Sequence, residues 1–196
     1  MKKKPLAAVL ALLVLVVAGL VIYNQMNRTR EVIDMFDKPA EASYNKIIEW
    51  SNKYNSVAAA KSKSNTVFMV PTETQGSELK TVYVRKGTPA LTKSYILVYD
   101  RFRIEAISGT SMSSAMQAQG EVQAAISQFS DQYKEVQVHG KAGLSAAASD
   151  TTVNGIQYKI PTSVAWSENG TTYLAIAKDM SVDDLLEICE STKPNN

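Results

Sequence analysis

Val164-Ala165-Trp166-Ser167-Glu168-Asn169-Gly170-Thr171-Thr172-Tyr173-Leu174-Ala175-Ile176 is the stretch whose reading decides the fold. Strand-forming residues stand on both sides of Ser167-Glu168-Asn169-Gly170. Asn-Gly is the pair that tight hairpins select, because both central residues of the turn need positive φ. The stretch therefore predicts two antiparallel strands. Downstream, Ser181-Val182-Asp183-Asp184 has capping-box spacing, with Asp in place of the more usual Glu or Gln. Val182, Leu185, Leu186 and Cys189 follow at i, i+3, i+4 and i+7, the narrow apolar stripe of a helix. Hairpin and helix each need a cover, so the helix is expected on the hairpin. Each large side chain buried there contributes about 1.5–3 kcal/mol.

Upstream, further runs read as strands: Thr66–Val70, Leu79–Lys86, Ser94–Tyr99, Arg101–Ile107, Tyr133–His139 and Ile156–Ile160. Phe102, Ile104 and Ala106 alternate against Arg101, Arg103, Glu105 and Ile107, which predicts one covered and one wet face. Two more helices are expected. The first starts at Asp37-Lys38-Pro39 and places Tyr44, Ile47, Ile48, Ser51 and Tyr54 on one side. The second carries Ala115, Ala118, Val122, Ile126, Phe129 and Tyr133, with Gly120 inside it. Lys141 to Asp150, rich in small residues, reads as loop.

The segment Trp166-Ser-Glu-Asn-Gly170-Thr-Thr-Tyr173-Leu followed by Leu185-Leu186-Glu-Ile188-Cys189-Glu-Ser191 resembles a bacterial domain of unknown function. That domain is found outside the membrane at the C-terminus of Gram-positive membrane-tethered proteins. It is similar in outline to lipoprotein-carrier and sigma-factor-regulator half-barrel folds, in which a curved antiparallel sheet covers helices. The resemblance covers the last fifth to quarter of the chain, and Cys189 stands where that pattern has a small apolar residue.

At the other end, Met1-Lys2-Lys3-Lys4-Pro5 precedes 18 residues, Leu6 to Tyr23, without a charge. As a helix they reach roughly 27 Å, close to the ~30 Å apolar core of a bilayer. The lysines favour a cytoplasmic N-terminus. A cleavable signal peptide is the competing reading, with Val16-Val17-Ala18 as a poor cleavage site. A lipid anchor needs a cysteine after Ala18-Gly19, where Leu20 stands. The expected architecture is thus α+β. It has a cytoplasmic tip and transmembrane anchor (1–27), a juxtamembrane and amphipathic helix (28–64), and an extracytoplasmic domain (65–196) with a curved, mainly antiparallel sheet on two or three helices. The expected location is the cell membrane of a bacterial envelope protein, single-pass through a signal anchor.

Charge follows the same division. Of 21 basic and 19 acidic residues, five basic and no acidic ones lie in residues 1–30, leaving 16 against 19 and a net of −3. Nucleic acid, which needs a basic stripe on the folded part, is not an expected partner. A lone cysteine allows no internal disulfide.

Candidate chemistry is sparse. His139 is the sole histidine and has no ligand-spaced neighbour, so neither a metal site nor a cofactor site is expected. Ser43-Tyr-Asn-Lys46 has the S-x-x-K spacing of penicillin-recognising serine enzymes. However, Lys86-Gly87-Thr88 reverses their lysine triad, and no Ser-Asp-Asn intervenes. Ser111 to Ser114 lies in no nucleophile elbow, and Asn169-Gly-Thr171 is formally a glycosylation sequon inside the hairpin turn. Arg101, Arg103, Arg85, Lys86 and Lys93 could make a positive sheet face for anionic headgroups or a wall polymer; an ordinary solvated face is the simpler reading. No catalytic residue is expected. The expected function is a non-enzymatic binding or regulatory module, tethered at the membrane, whose sheet–helix groove engages an amphiphile, a cell-wall component or an envelope protein. Phe102 and Ile104 are groove-lining candidates that serve equally well as core. The alternative is a structural or assembly subunit of a membrane complex.

Overall fold

The computed structural model describes residues 32–37, 48–64, 66–86, 94–108, 133–153 and 156–195. Its geometry grows from the Asn169-Gly170 turn. Asn169 (φ 51°) and Gly170 (φ 75°) both take the left-handed conformation. They join Thr162–Glu168 to Thr171–Ala177, with Glu168 opposite Thr171 and Trp166 opposite Tyr173. In chain order the strands are β1 (Val32–Asp34), β2 (Ser51–Tyr54), β3 (Phe68–Pro71), β4 (Leu79–Arg85), β5 (Tyr95–Tyr99), β6 (Phe102–Ser108) and β7 (Tyr133–Val138). There follow β8 (Lys141–Ala146), β9 (Ser149–Val153), β10 (Ile156–Ile160), β11 (Thr162–Glu168), β12 (Thr171–Ala177) and β13 (Thr192–Asn195). The helices are α1 (Val57–Lys61) and α2 (Val182–Glu190).

Eight strands form one antiparallel sheet in the order β2-β4-β5-β6-β12-β11-β8-β7. Period-2 alternation sends Val82, Leu97, Ile104, Ala175 and Val164 to one face, and each is fully buried. That inner face is covered by α2 through Leu185, Ile188 and Cys189, by α1 through Val57 and Ala60, and by Phe68 of β3. β3 pairs with β13, and the Tyr95 hydroxyl accepts the Met69 N–H at 2.7 Å, tying this small ribbon to the large sheet. Burial pushes the Tyr95 hydroxyl far up and that of Tyr99 up to about 12, so both stay neutral. Stacked rings, Tyr99 on Phe102 at 4.2 Å and Trp166 on Tyr173 at 4.9 Å, run along the same face.

The opposite face is not the wet one expected. Arg103 and Glu105 are buried and joined at 2.8 Å. Phe36 lies over the Arg103 guanidinium at 5.3 Å, and its carbonyl accepts from Nη1 at 3.0 Å. The segment 32–37 is therefore strapped across this face. It is held also by parallel pairing of β1 with β10 and by Lys178, which bonds Asp37 at 2.6 Å and Asp34 at 3.3 Å. The alternation was read correctly; its polar half is covered because the ion pair lets charge go inside.

Several expectations are corrected. The fold is mostly antiparallel β, with thirteen strands and two short helices among the described residues, where a sheet on two or three helices in an α+β domain was expected. Ser51 and Tyr54, expected on a long amphipathic helix, lie on edge strand β2, because β4 offers a free edge and tertiary pairing overrides local helical spacing. Lys141 to Asp150, read as loop, instead supplies strand β8 (Lys141–Ala146) and the start of β9 (Ser149–Val153), and the chain after α2 forms strand β13 (Thr192–Asn195). The transmembrane and single-pass reading, and the cell-membrane location resting on it, are corrected too: no helix among the described residues is long and apolar enough to cross a membrane. α2, the longer, has 9 residues, about 14 Å, and is amphipathic. The Leu6–Tyr23 run and the expected helix from Ala115 to Phe129 lie outside the described residues. Tyr133, placed last on that helix, opens strand β7.

Candidate functional site

The apolar stripe of α2 is turned relative to its sequence reading. Leu185, Ile188 and Cys189 go into the core, while Val182 and Leu186 stay half-buried. Those two face a groove of about 670 Å³ between the first turns of α2 and the end of the sheet formed by β7 and β8. Val136 and Ile160 supply further apolar wall, and Ala146-Ala147-Ala148 contributes small side chains that leave the space open. Lys134 and Asp183, both exposed, border it with charges of opposite sign.

Both walls are positioned locally. Ser181 caps α2 by accepting from Asp184 N at 3.1 Å, and the Asp184 carboxylate reaches back to the Ser181 N–H. Thr162, buried at the start of β11, donates to Met180 O at 2.6 Å and accepts from Ala148 N at 3.2 Å. One hydroxyl thus fixes the helix lead-in against the β8–β9 link. On the sheet side, Gly143 permits close approach of β8 to β11: a Cβ there would stand 2.6 Å from Ala165 O.

His139 lies in the two-residue turn between β7 and β8, at φ 53°, followed by Gly140 at φ 69°. A histidine tolerates the left-handed region better than most residues. This turn was missed in the sequence, where His-Gly is a weaker signal than Asn-Gly. His139 Nδ1 meets Glu168 Oε2 at 2.9 Å, and Nε2 meets Glu190 O at 3.2 Å and Thr192 Oγ1 at 3.4 Å. Its backbone N–H donates to Glu190 Oε2 at 2.9 Å. Both ring nitrogens are engaged within the protein, so the His–Glu pair presents no ring nitrogen to a substrate.

The remaining sequence candidates separate. Phe102 and Ile104 are fully buried core and do not line the groove. Cys189 is buried, and burial with the nearby Glu190 charge drives its thiol well up, away from reactive thiolate. Arg103 is consumed by Glu105, which removes it from any positive surface, and Arg101 donates to Asp179 O at 3.1 Å. Asn169 serves the hairpin turn. Ser43, Lys46, Lys93 and Ser111 to Ser114 lie outside the described residues. A second cleft of about 380 Å³ contains Asp34, Asp150 and Asp179 with Lys159 and Lys178. Burial opposes ionisation of Asp34, yet the Phe36 N–H and Lys178 outweigh it and hold its carboxyl below the usual range. Bonds to Asp37 and Asp34 raise Lys178 correspondingly. Among the described residues no group of three or more His, Cys, Asp or Glu side chains is placed to hold a metal.

No family model and no curated protein matches this chain. A solved structure from Bacteroides thetaiotaomicron VPI-5482 is similar at 14% identity, over 75% of this chain and 49% of that one, with a TM-score of 0.34. The chain spans about half the length of that protein.

Proposed function

We propose that the protein is a non-enzymatic binding module whose groove between α2 and the β7–β8 end of the sheet takes an amphiphile. The observation that carries this reading is the groove itself. Its volume of about 670 Å³ falls within the roughly 300–1,000 Å³ usual for small-molecule sites. Its walls are apolar at Val136, Ile160, Val182 and Leu186, and the charged residues that line it, Lys134, Glu135 and Asp183, are all exposed. Such a lining suits a ligand with an apolar body and a polar end left near water. Hydrolytic chemistry has less support, because His139 is engaged on both nitrogens and the Cys189 thiol is buried.

Native mass spectrometry of the purified full chain tests it, followed by titration with a medium-chain fatty acid and its methyl ester. Leu186→Asp, which places a charge on the half-buried wall without touching Leu185 or Ile188, should weaken binding by at least tenfold while the chain stays folded. Equal affinity of wild type and Leu186→Asp for both probes, or no binding by a folded wild type, would sink the amphiphile reading.

A further inference from the structure

We infer that the outer edge of β7 is a self-complementary surface: a second copy of the chain pairs with it antiparallel across a two-fold axis, joining the two eight-stranded sheets into one. Among the described residues β7 pairs with β8 alone and ends the sheet order. From Tyr133 to Val138 its register with β8 is unbroken, with none of the bulges or prolines that close an edge to further pairing. The hairpin turn decides which backbone groups face outward. His139 and Gly140 both have positive φ, as in a tight two-residue turn, and the flanking pair Val138 and Lys141 exchanges both backbone hydrogen bonds. Bonded pairs then alternate along the ladder, Val136 with Gly143 and Lys134 with Ser145. The Ser145 hydroxyl, 3.4 Å from Lys134 O, lies on that same side. The N–H and C=O groups of Tyr133, Glu135 and Gln137 are thus directed away from β8, where water or another strand must satisfy them.

Charge and side-chain chemistry select the occupant and its register. Under a two-fold axis perpendicular to the sheet, residues standing opposite share a face, so the axis passes through a residue and not between two. Centred on Lys134 or on Glu135, it sets like charges directly opposite, which destabilises the pair. Centred on Gln137, it runs Glu135 onto His139, which has left the ladder at φ 53°. Centred on Val136, it has neither fault. Glu135 then stands opposite the second copy's Gln137, and Gln137 opposite its Glu135. These are the outward-directed residues, so their backbones can exchange both hydrogen bonds. Each exposed Glu135 carboxylate accepts from the side-chain amide of Gln137 across the axis. On the other face Val136 packs on the second copy's Val136. Lys134 comes opposite Val138, beside the turn where the His139 N–H holds the Glu190 carboxylate, an opposite charge. Because Val136 and Lys134 line the groove, the second copy extends the apolar wall of each groove across the axis. Such an interface is isologous and closes at two copies.

Sedimentation velocity of the purified full chain, without ligand and at concentrations up to about 100 µM, tests the pairing. Wild type should pass from monomer to dimer as concentration rises. Gln137→Glu sets a carboxylate opposite Glu135 at both symmetric positions and should weaken the dimer. Gln137→Lys sets an ammonium group there and should tighten it. The Kd values of the two variants should differ by at least about tenfold. Gln137 is exposed, so both variants should unfold at the wild-type urea midpoint. A wild type that stays monomeric throughout, or a dimer on which the two substitutions act alike, overturns the inference. With no ligand present, either result leaves the amphiphile reading to its own titration.

Discussion

Gly143→Ala is the substitution whose consequence the structure specifies most closely. The added methyl would meet Ala165 O at 2.6 Å and Trp166 Cβ at 3.3 Å. The first contact is with a strand backbone, so it cannot be relieved by a rotamer change. Restoring ordinary separation moves β8 and β11 apart by about 0.8 Å, which carries a ladder hydrogen bond of about 2.9 Å beyond useful length. Four paired positions link the two strands, from Ser163 opposite Ala146 to Trp166 opposite Gly143. Overpacking of this kind costs about 1–3 kcal/mol, and each weakened backbone bond adds about 0.5–1.5 kcal/mol. Alanine gives back about 0.4–1 kcal/mol by restricting the unfolded chain. The net expectation is a loss of about 1–4 kcal/mol, read as a lower urea midpoint at unchanged slope. Gly140→Ala is the internal control: its Cβ meets open space, and its cost comes only from φ 69°, about 1–2 kcal/mol. A Gly143→Ala protein as stable as wild type would refute the close-approach argument. Because β7 reaches the rest of the sheet through β8, the same variant should also weaken amphiphile binding.

Ser181→Ala removes the cap that accepts from Asp184 N and should destabilise the chain by about 0.5–2 kcal/mol, measured by chemical denaturation; no loss would mean the carboxylate of Asp184 caps α2 unaided. Acid should loosen the strap of residues 32–37. The Asp34 carboxyl is held low in the folded state, so its stabilisation is complete above about pH 4, the unfolded value, and disappears as pH falls through the lowered one. Exchange of the Met35 amide, which donates to Lys159 O at 3.0 Å, should therefore accelerate below about pH 4 relative to its intrinsic rate, and Asp34→Asn should abolish that dependence. Protection of Met35 that persists unchanged into acid would contradict it.

The parts of the fold legible in the sequence are those whose cause is local. Asn169-Gly170 needs no context to turn a chain, Ser181 to Asp184 needs none to begin a helix, and the alternation through Phe102, Ile104 and Ala106 marks a buried face wherever the strand ends up. The candidate site was legible only in outline. Val182 and Leu186 were visible as part of an apolar stripe, but which members of the stripe enter the core depends on how α2 is rotated on the sheet. His139 was visible as a lone histidine; its partners Glu168 and Glu190 are remote in sequence and meet it only because β7–β8, β11–β12 and α2 converge.

The sequence by itself thus determined the antiparallel hairpins, the capped C-terminal helix and the absence of internal disulfide chemistry. These follow from φ preferences, hydrogen-bond capping and the count of a single cysteine, all properties of neighbouring residues. Only the tertiary structure decided that Ser51–Tyr54 completes a sheet edge, that Arg103 and Glu105 go inside as a pair beneath Phe36, and that small residues at Gly143 and Ala146 to Ala148 build strands and a groove where a loop was expected. Each of those outcomes depends on what a distant segment presents: a free strand edge, an opposite charge or a backbone close enough to exclude a methyl group.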